Sequence, residues 1–137
     1  MGLGFLAIGP GIVGLWALAA PRSFYNDFPM PSLAWVSELP RYSEHLVRDV
    51  GAFNLAFAIL LTWAAVGLDR TVVRVALVGW LIFSIPHFIF HALNLERYDT
   101  TAATSQMITL GVGIVLPLIL LASNARLERR PSRRFGV

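Results

Sequence analysis

His87 and His91 stand four residues apart inside a stretch of apolar sequence long enough to cross a bilayer. They belong to a longer polar and aromatic line: Trp80, Ser84, His87, His91, Asn94 and Tyr98. Alternating steps of four and three keep such a line on one face of a helix. Ionisable groups are costly in hydrocarbon, so this face must turn toward protein, water, a cofactor or a ligand. A second pair with the same spacing, His45 and Asp49, opens another apolar segment, with Arg48 beside it. If the two segments run antiparallel, all three histidines of the chain fall at one end. His45, Asp49, His87 and His91 are then expected to meet at comparable depth. Asn94, Glu96 and the Asn26–Asp27 pair are placed to join them from above, and Pro86, which cannot donate to the carbonyl of Ile82, leaves an acceptor near His87.

Several chemistries fit this constellation. His-x3-His lets two imidazoles reach one ion, and a third His with a carboxylate would complete a set for Zn, Fe or Cu. The segment His87-Phe88-Ile89-Phe90-His91 lacks the Glu of a zinc-protease motif, so that enzyme class is unsupported. Haem would need axial ligands from opposite sides, such as His45 with His87 or His91. A catalytic reading makes His87 or His91 a general acid/base oriented by Asp49, with Arg48 holding an anionic or oxygenated group of a lipid-like substrate. The bland alternative is interhelical glue, in which Asp49, His87, His91 and Asn94 satisfy one another and Arg48 pairs with Asp27 or Glu44. Such contacts average only about 0.6 kcal/mol, a modest reason to keep so many ionisable groups.

The elements that position these residues follow from hydropathy. Hydrophobic residues make up 56% of 137 and charged residues 14%, with a mean hydropathy of +0.66. A soluble domain of this size cannot hide that much apolar surface. Four segments, about 3–20, 46–67, 72–95 and 102–123, reach the roughly 20 residues needed to span hydrocarbon. Helices are the form that satisfies their backbones there, so an all-α, four-helix transmembrane bundle is expected. Ala7, Gly11 and Gly14 form a small-residue face on the first span, suited to close helix contact, and Gly9-Pro10-Gly11 should kink it. Ala17-Leu18-Ala19 mimics a signal-peptidase site, so a cleaved leader competes with a first span, although no basic region precedes it. Asn54 lies well around its helix from Asp49 and is expected to face the first span. The fourth span, with Gly111, Gly113 and Pro117 but no charge, reads as packing and lipid contact.

Residues 21–44 are the one long connection, rich in Pro and aromatics, and 31–39 can form a short helix with Pro31 at its first position. Its aromatics suit the head-group level, as an anchor or a moving lid. All eleven basic residues are Arg, and five of them (126, 129, 130, 133, 134) follow the last span. A cluster there anchors to anionic head groups and places residues 124–137 in the cytoplasm, with both termini. The short link at 68–74 then also lies inside, so seven arginines fall inside and six of the eight acids outside. No nucleic-acid module accompanies the charge. The chain has no Cys, which excludes disulfides, thiolate metal sites and covalent haem.

Three segments carry a resemblance: Pro-Arg-Ser-Phe-Tyr-Asn-Asp-Phe-Pro at 21–29, His-Leu-Val-Arg-Asp-Val-Gly at 45–51, and Pro-His-Phe-Ile-Phe-His at 86–91. With the span layout, they resemble a group of small, mostly uncharacterised four-span proteins of actinobacteria, similar in layout to the DoxX-like membrane proteins. The resemblance implies a bacterial inner-membrane bundle. It would also imply a redox partner and quinone contact, although no motif here matches that reaction. Two functions are expected from all of this. One is binding or acting on a small lipophilic molecule (quinone or lipid-like) or a metal, through His45, Arg48, Asp49, His87, His91 and Asn94. The other is a non-catalytic accessory or scaffold subunit, docked to a membrane partner or to its own copies.

Overall fold

A computed structural model describes residues 1–39 and 41–128; the arginine-rich segment 129–137 lies outside the described residues. The fold is all-helical: α1 (Gly2–Ala19), α2 (Pro21–Asp27), α3 (Glu44–Gly67), α4 (Arg70–Ala92), a 3-10 turn at Leu95–Arg97, and α5 (Thr100–Glu128). Four of these, α1, α3, α4 and α5, are long and apolar enough to cross a membrane. Large apolar side chains such as Ile12, Ile59, Trp63, Ile82 and Ile119 are more than half exposed along them. In water that surface would be untenable; in lipid it is the solvent-facing surface of a multi-pass membrane protein. The extreme is α5, where 11% of the most apolar window is buried against protein, compared with 33% in α1.

Local chemistry sets the helix ends. Ser43 Oγ accepts from the backbone N–H of Leu46, and Asp69 Oδ1 accepts from that of Val72, so each fills an otherwise unpaired first-turn donor. Asp99 does the same for α5, accepting from the N–H groups of Thr101 and Ala102. Leu68, in the left-handed region at φ 50°, closes α3 and allows a two-residue turn into α4. At the other end, Pro21 starts α2, where a missing N–H costs nothing. The stretch 31–39 is a run of turns rather than the expected short helix. Its carbonyls and amides pair locally, and Trp35 N–H reaches back to the Phe28 carbonyl at 2.8 Å.

Two seams build the bundle. The α1–α3 seam is the most extensive, and it depends on the expected small-residue face: a Cβ added at Gly14 would stand 2.7 Å from the backbone nitrogen of Leu55. Gly51 returns the fit, since a Cβ there would meet Ala17 Cβ and Leu18 N at 3.0 Å. Asn54 is buried on this side of α3, but its amide donates to the Val50 carbonyl of its own helix at 2.9 Å. The second seam joins α4 to α5. There Pro117 cannot donate to the carbonyl of Gly113, and Trp80 Nε1 fills that vacancy across the seam at 2.8 Å. Leu3, Leu6, Leu61, Ala76 and Leu77 close the apolar core at the end remote from the long loop.

Candidate functional site

The expected polar line shares a helical face only as far as His91: α4 ends at Ala92, and Asn94 and Tyr98 lie beyond it, flanking the 3-10 turn. Trp80, Ser84 and His91 are buried, and His87, Asn94 and Tyr98 are half-buried. The helix is continuous through Pro86. An aromatic ladder stiffens the stripe: Phe83 stacks on His87 with centroids 5.2 Å apart, and His87 meets His91 edge-on at 4.6 Å. The His91 ring lies 6.4 Å from that of Tyr98, whose hydroxyl donates to the Trp35 carbonyl at 2.8 Å. The loop is thereby tied down over the end of α4.

The second pair behaves differently. His45 Nε2 and Asp49 Oδ2 are 3.2 Å apart, with side chains 89% and 60% exposed. Arg48 pairs with Glu44 at 2.9 Å and also donates to the Leu18 carbonyl at the end of α1. Asn94 donates to the Phe90 carbonyl at 2.8 Å and accepts from Arg97 Nε at 3.3 Å. Asn26 is exposed, and Asp27 accepts from Ser23 at 3.0 Å. Among the described residues, no ion pair, hydrogen bond or ring contact joins His45, Arg48 or Asp49 to His87 or His91.

The reason lies in which stripe of α3 is buried. Val47, Gly51, Asn54, Ala58, Leu61 and Ala64 face inward, while Ala52, Ala56 and Ile59, expected to continue the Asp49 face into the bundle, are exposed. What α3 offers α4 is aromatic: Phe53 meets Phe83 at 5.6 Å and Phe57 meets Trp80 at 5.7 Å. Asp49 and His87 each lie one turn beyond that contact, so the expected register holds although the side chains do not meet. Nor do three His, Asp or Glu side chains converge anywhere among the described residues. The expected ligand set for Zn, Fe or Cu is therefore not assembled, and with His45 exposed on α3 neither is an opposed pair of haem ligands.

The partner that α4 does find comes from α5, and reading the sequence missed it. Gln106 is fully buried. Its amide lies beside both the His91 ring and the Tyr98 hydroxyl, yet neither amide atom makes a hydrogen bond of normal geometry. His91 Nδ1, Ser84 Oγ and Trp35 Nε1 are likewise buried without a hydrogen-bond partner. A buried polar atom left unpaired costs about 1–3 kcal/mol. The signal was present: Gln106 is the sole Gln of the chain and sits within an apolar span. Asp99 starts α5 at a phase that turns Ala102 and Gln106 inward together.

Above this cluster lies an open cleft of about 290 Å³ between the 31–38 turns and the start of α5, lined by Leu33, Glu38, Arg97, Tyr98, Asp99 and Ala102 among others. Tyr98 lines the cleft, and its ring lies 6.4 Å from that of His91. Burial holds its hydroxyl above the ordinary value of 10.0; Glu38 pushes the same way, and Gln106 and Arg97 oppose. Comparison with known proteins finds no matching family model, curated protein or solved structure.

Proposed function

We propose that this chain binds a small lipophilic molecule, quinone or lipid-like, with its polar head against Ser84, His87, His91 and Gln106 and its apolar body toward the membrane. The observation that carries the reading is the pair of buried polar side chains His91 and Gln106, set side by side with atoms that make no hydrogen bond of normal geometry. Three aromatic neighbours, Trp80, Phe83 and Tyr98, suit a flat or chain-like guest. The arginine bias supports both termini on the cytoplasmic side, and the resemblance in layout supports a bacterial inner membrane. The ligand end then opens to the outer face, in a DoxX-like layout. His87 and His91 are the candidates for proton transfer should the guest be turned over, and the α3 set of His45, Arg48 and Asp49 stands outside the binding site.

The test is equilibrium binding of a short-chain quinone and a medium-chain lipid analogue to the purified protein in nanodiscs. Binding of at least one of them, weakened about tenfold or more in H91F and Q106L, supports the reading. Unchanged binding in both variants, or none to the wild type, refutes it.

A second reading, docking to a membrane partner or a further copy, is supported by the exposed face of α3. Ala52 and Ala56 lie there below the self-paired His45 and Asp49, a surface that permits close helix approach. Extraction in mild detergent as a lone monomer would count against it.

A further inference from the structure

A short run of polar groups joins the end of α4 to the long loop. Tyr98 lies just past α4, and its hydroxyl donates to the Trp35 carbonyl at 2.8 Å, fastening the 31–39 turns. The His91 ring stands 6.4 Å from that of Tyr98. Gln106 on α5, fully buried, sits beside both. Its amide has one donor end and one acceptor end, so it serves these two neighbours in one of two orientations. Neither end makes a hydrogen bond of normal geometry, so neither orientation is locked.

The two orientations have opposite consequences for the loop. With Oε1 toward His91, an imidazole N–H donates to Oε1 and Nε2 donates to the Tyr98 oxygen. The single proton of the phenol then stays free for the Trp35 carbonyl, and every bond points from helix to loop. With the amide reversed, Nε2 donates to a bare imidazole nitrogen and Oε1 faces the phenol. Tyr98 must then turn its one proton to Oε1, and the Trp35 carbonyl loses its donor. Gln106 opposes the rise in the Tyr98 pKa, as a donor aimed at the phenol oxygen does, which is the first orientation.

The proton count of His91 decides between them. A neutral imidazole presents an N–H or a bare lone pair according to tautomer, whereas the protonated ring can only donate. Acid therefore removes the reversed orientation. Among the described residues, the titratable groups around His91 are His87, edge-on at 4.6 Å, and Tyr98, with Glu38, Arg97 and Asp99 beyond it in the cleft. From α5 comes the uncharged Gln106, and α3 faces the stripe with Phe53 and Phe57. No ligand takes part, so the device works in the empty protein whatever the binding experiment finds.

We propose that His91, Gln106 and Tyr98 form a pH-set latch: protonation of His91 fixes the Gln106 amide, keeps the Tyr98 hydroxyl on the Trp35 carbonyl and so fastens the 31–39 turns over the end of α4. The experiment follows amide hydrogen exchange of residues 33–39 in ligand-free protein in nanodiscs at pH 8 and pH 4.5, with rates corrected for the intrinsic pH dependence of exchange. Wild-type protection should rise about threefold to fivefold on acidification, the factor that one hydrogen bond supplies. Y98F and Q106L should show no rise, and H91Q, which cannot take the proton, should be equally flat. E38Q, H87F and H45A should keep the rise. A flat wild type overturns the latch, as does a rise that persists in Y98F, Q106L or H91Q. Loss of the rise in E38Q, H87F or H45A would put the sensing proton elsewhere and overturn it too. Y98F removes a single oxygen, so the test stands even if Q106L fails to fold.

Discussion

The two seams of this bundle are built on opposite principles. Along α1–α3, glycines bring the backbones together, and the polar side chain buried there, Asn54, is paired within its own helix. Along α4–α5, the helices meet over polar side chains, and at the loop end Ser84, His91 and Gln106 keep unpaired atoms. The first seam gains stability from close packing. The second gives up some of that gain, and proteins commonly make this concession where a ligand is bound. A smaller contrast repeats the lesson. His45–Asp49 and His87–His91 share one spacing and one end of the bundle, yet the first pair is exposed and self-paired while the second is walled in by rings.

Substitutions should separate the seams. The largest effect belongs to Gly14: G14V drives a side chain into the backbone of Leu55 and should cost about 3 kcal/mol or more, read as a lost unfolding transition or a sharp drop in denaturation midpoint. Should G14V melt like the wild type, the α1–α3 contact is not the foundation described here. Next, Q106L removes two stranded polar atoms and should raise stability by about 1 kcal/mol in the absence of ligand. A loss of stability would mean that the amide is paired after all, which would make the second seam resemble the first.

Tyr98 gives an intermediate effect. Y98F deletes the hydrogen bond to the Trp35 carbonyl and should cost about 1 kcal/mol, with faster hydrogen exchange confined to residues 28–39. The pH dependence has a definite sign. The folded Tyr98 pKa is raised above 10.0, chiefly by burial. Its contribution is fully present below pH 10 and is lost as pH rises through the folded value, so the wild type should weaken at strongly alkaline pH more than Y98F does. The smallest effect is at the exposed pair: H45A or D49A should change stability by less than about 0.5 kcal/mol. A loss above 2 kcal/mol in either would show that the α3 pair is coupled to the α4 pair.

Much of the fold was legible because hydrocarbon is a simple solvent: a run of some 20 apolar residues has few options other than a spanning helix. The α4 stripe was legible from Trp80 to His91 for a similar reason, since steps of four and three fix a face whatever lies opposite, but the helix stops at Ala92 and leaves Asn94 and Tyr98 off it. The glycine face of α1 was also readable, because its residues have no alternative use in a helix. The short helix at 31–39 was misread, since Pro at a first position permits a helix without requiring one, and local turns won. The Asp49 face was misread because α3 has two stripes able to face protein, and the one with Gly51 packs more closely.

From residue types and spacing alone came four membrane-length helices, one polar face near the end of the third, and a small-residue face on the first. Those properties are local, set by each segment's own periodicity and its transfer from water. Which stripe meets which could come only from the packed bundle, because a partner's face depends on the phase and tilt of another helix. Gln106 illustrates the point: its residue type stood out in the sequence, but only the packing of α5 on α4 set it beside His91 and Tyr98.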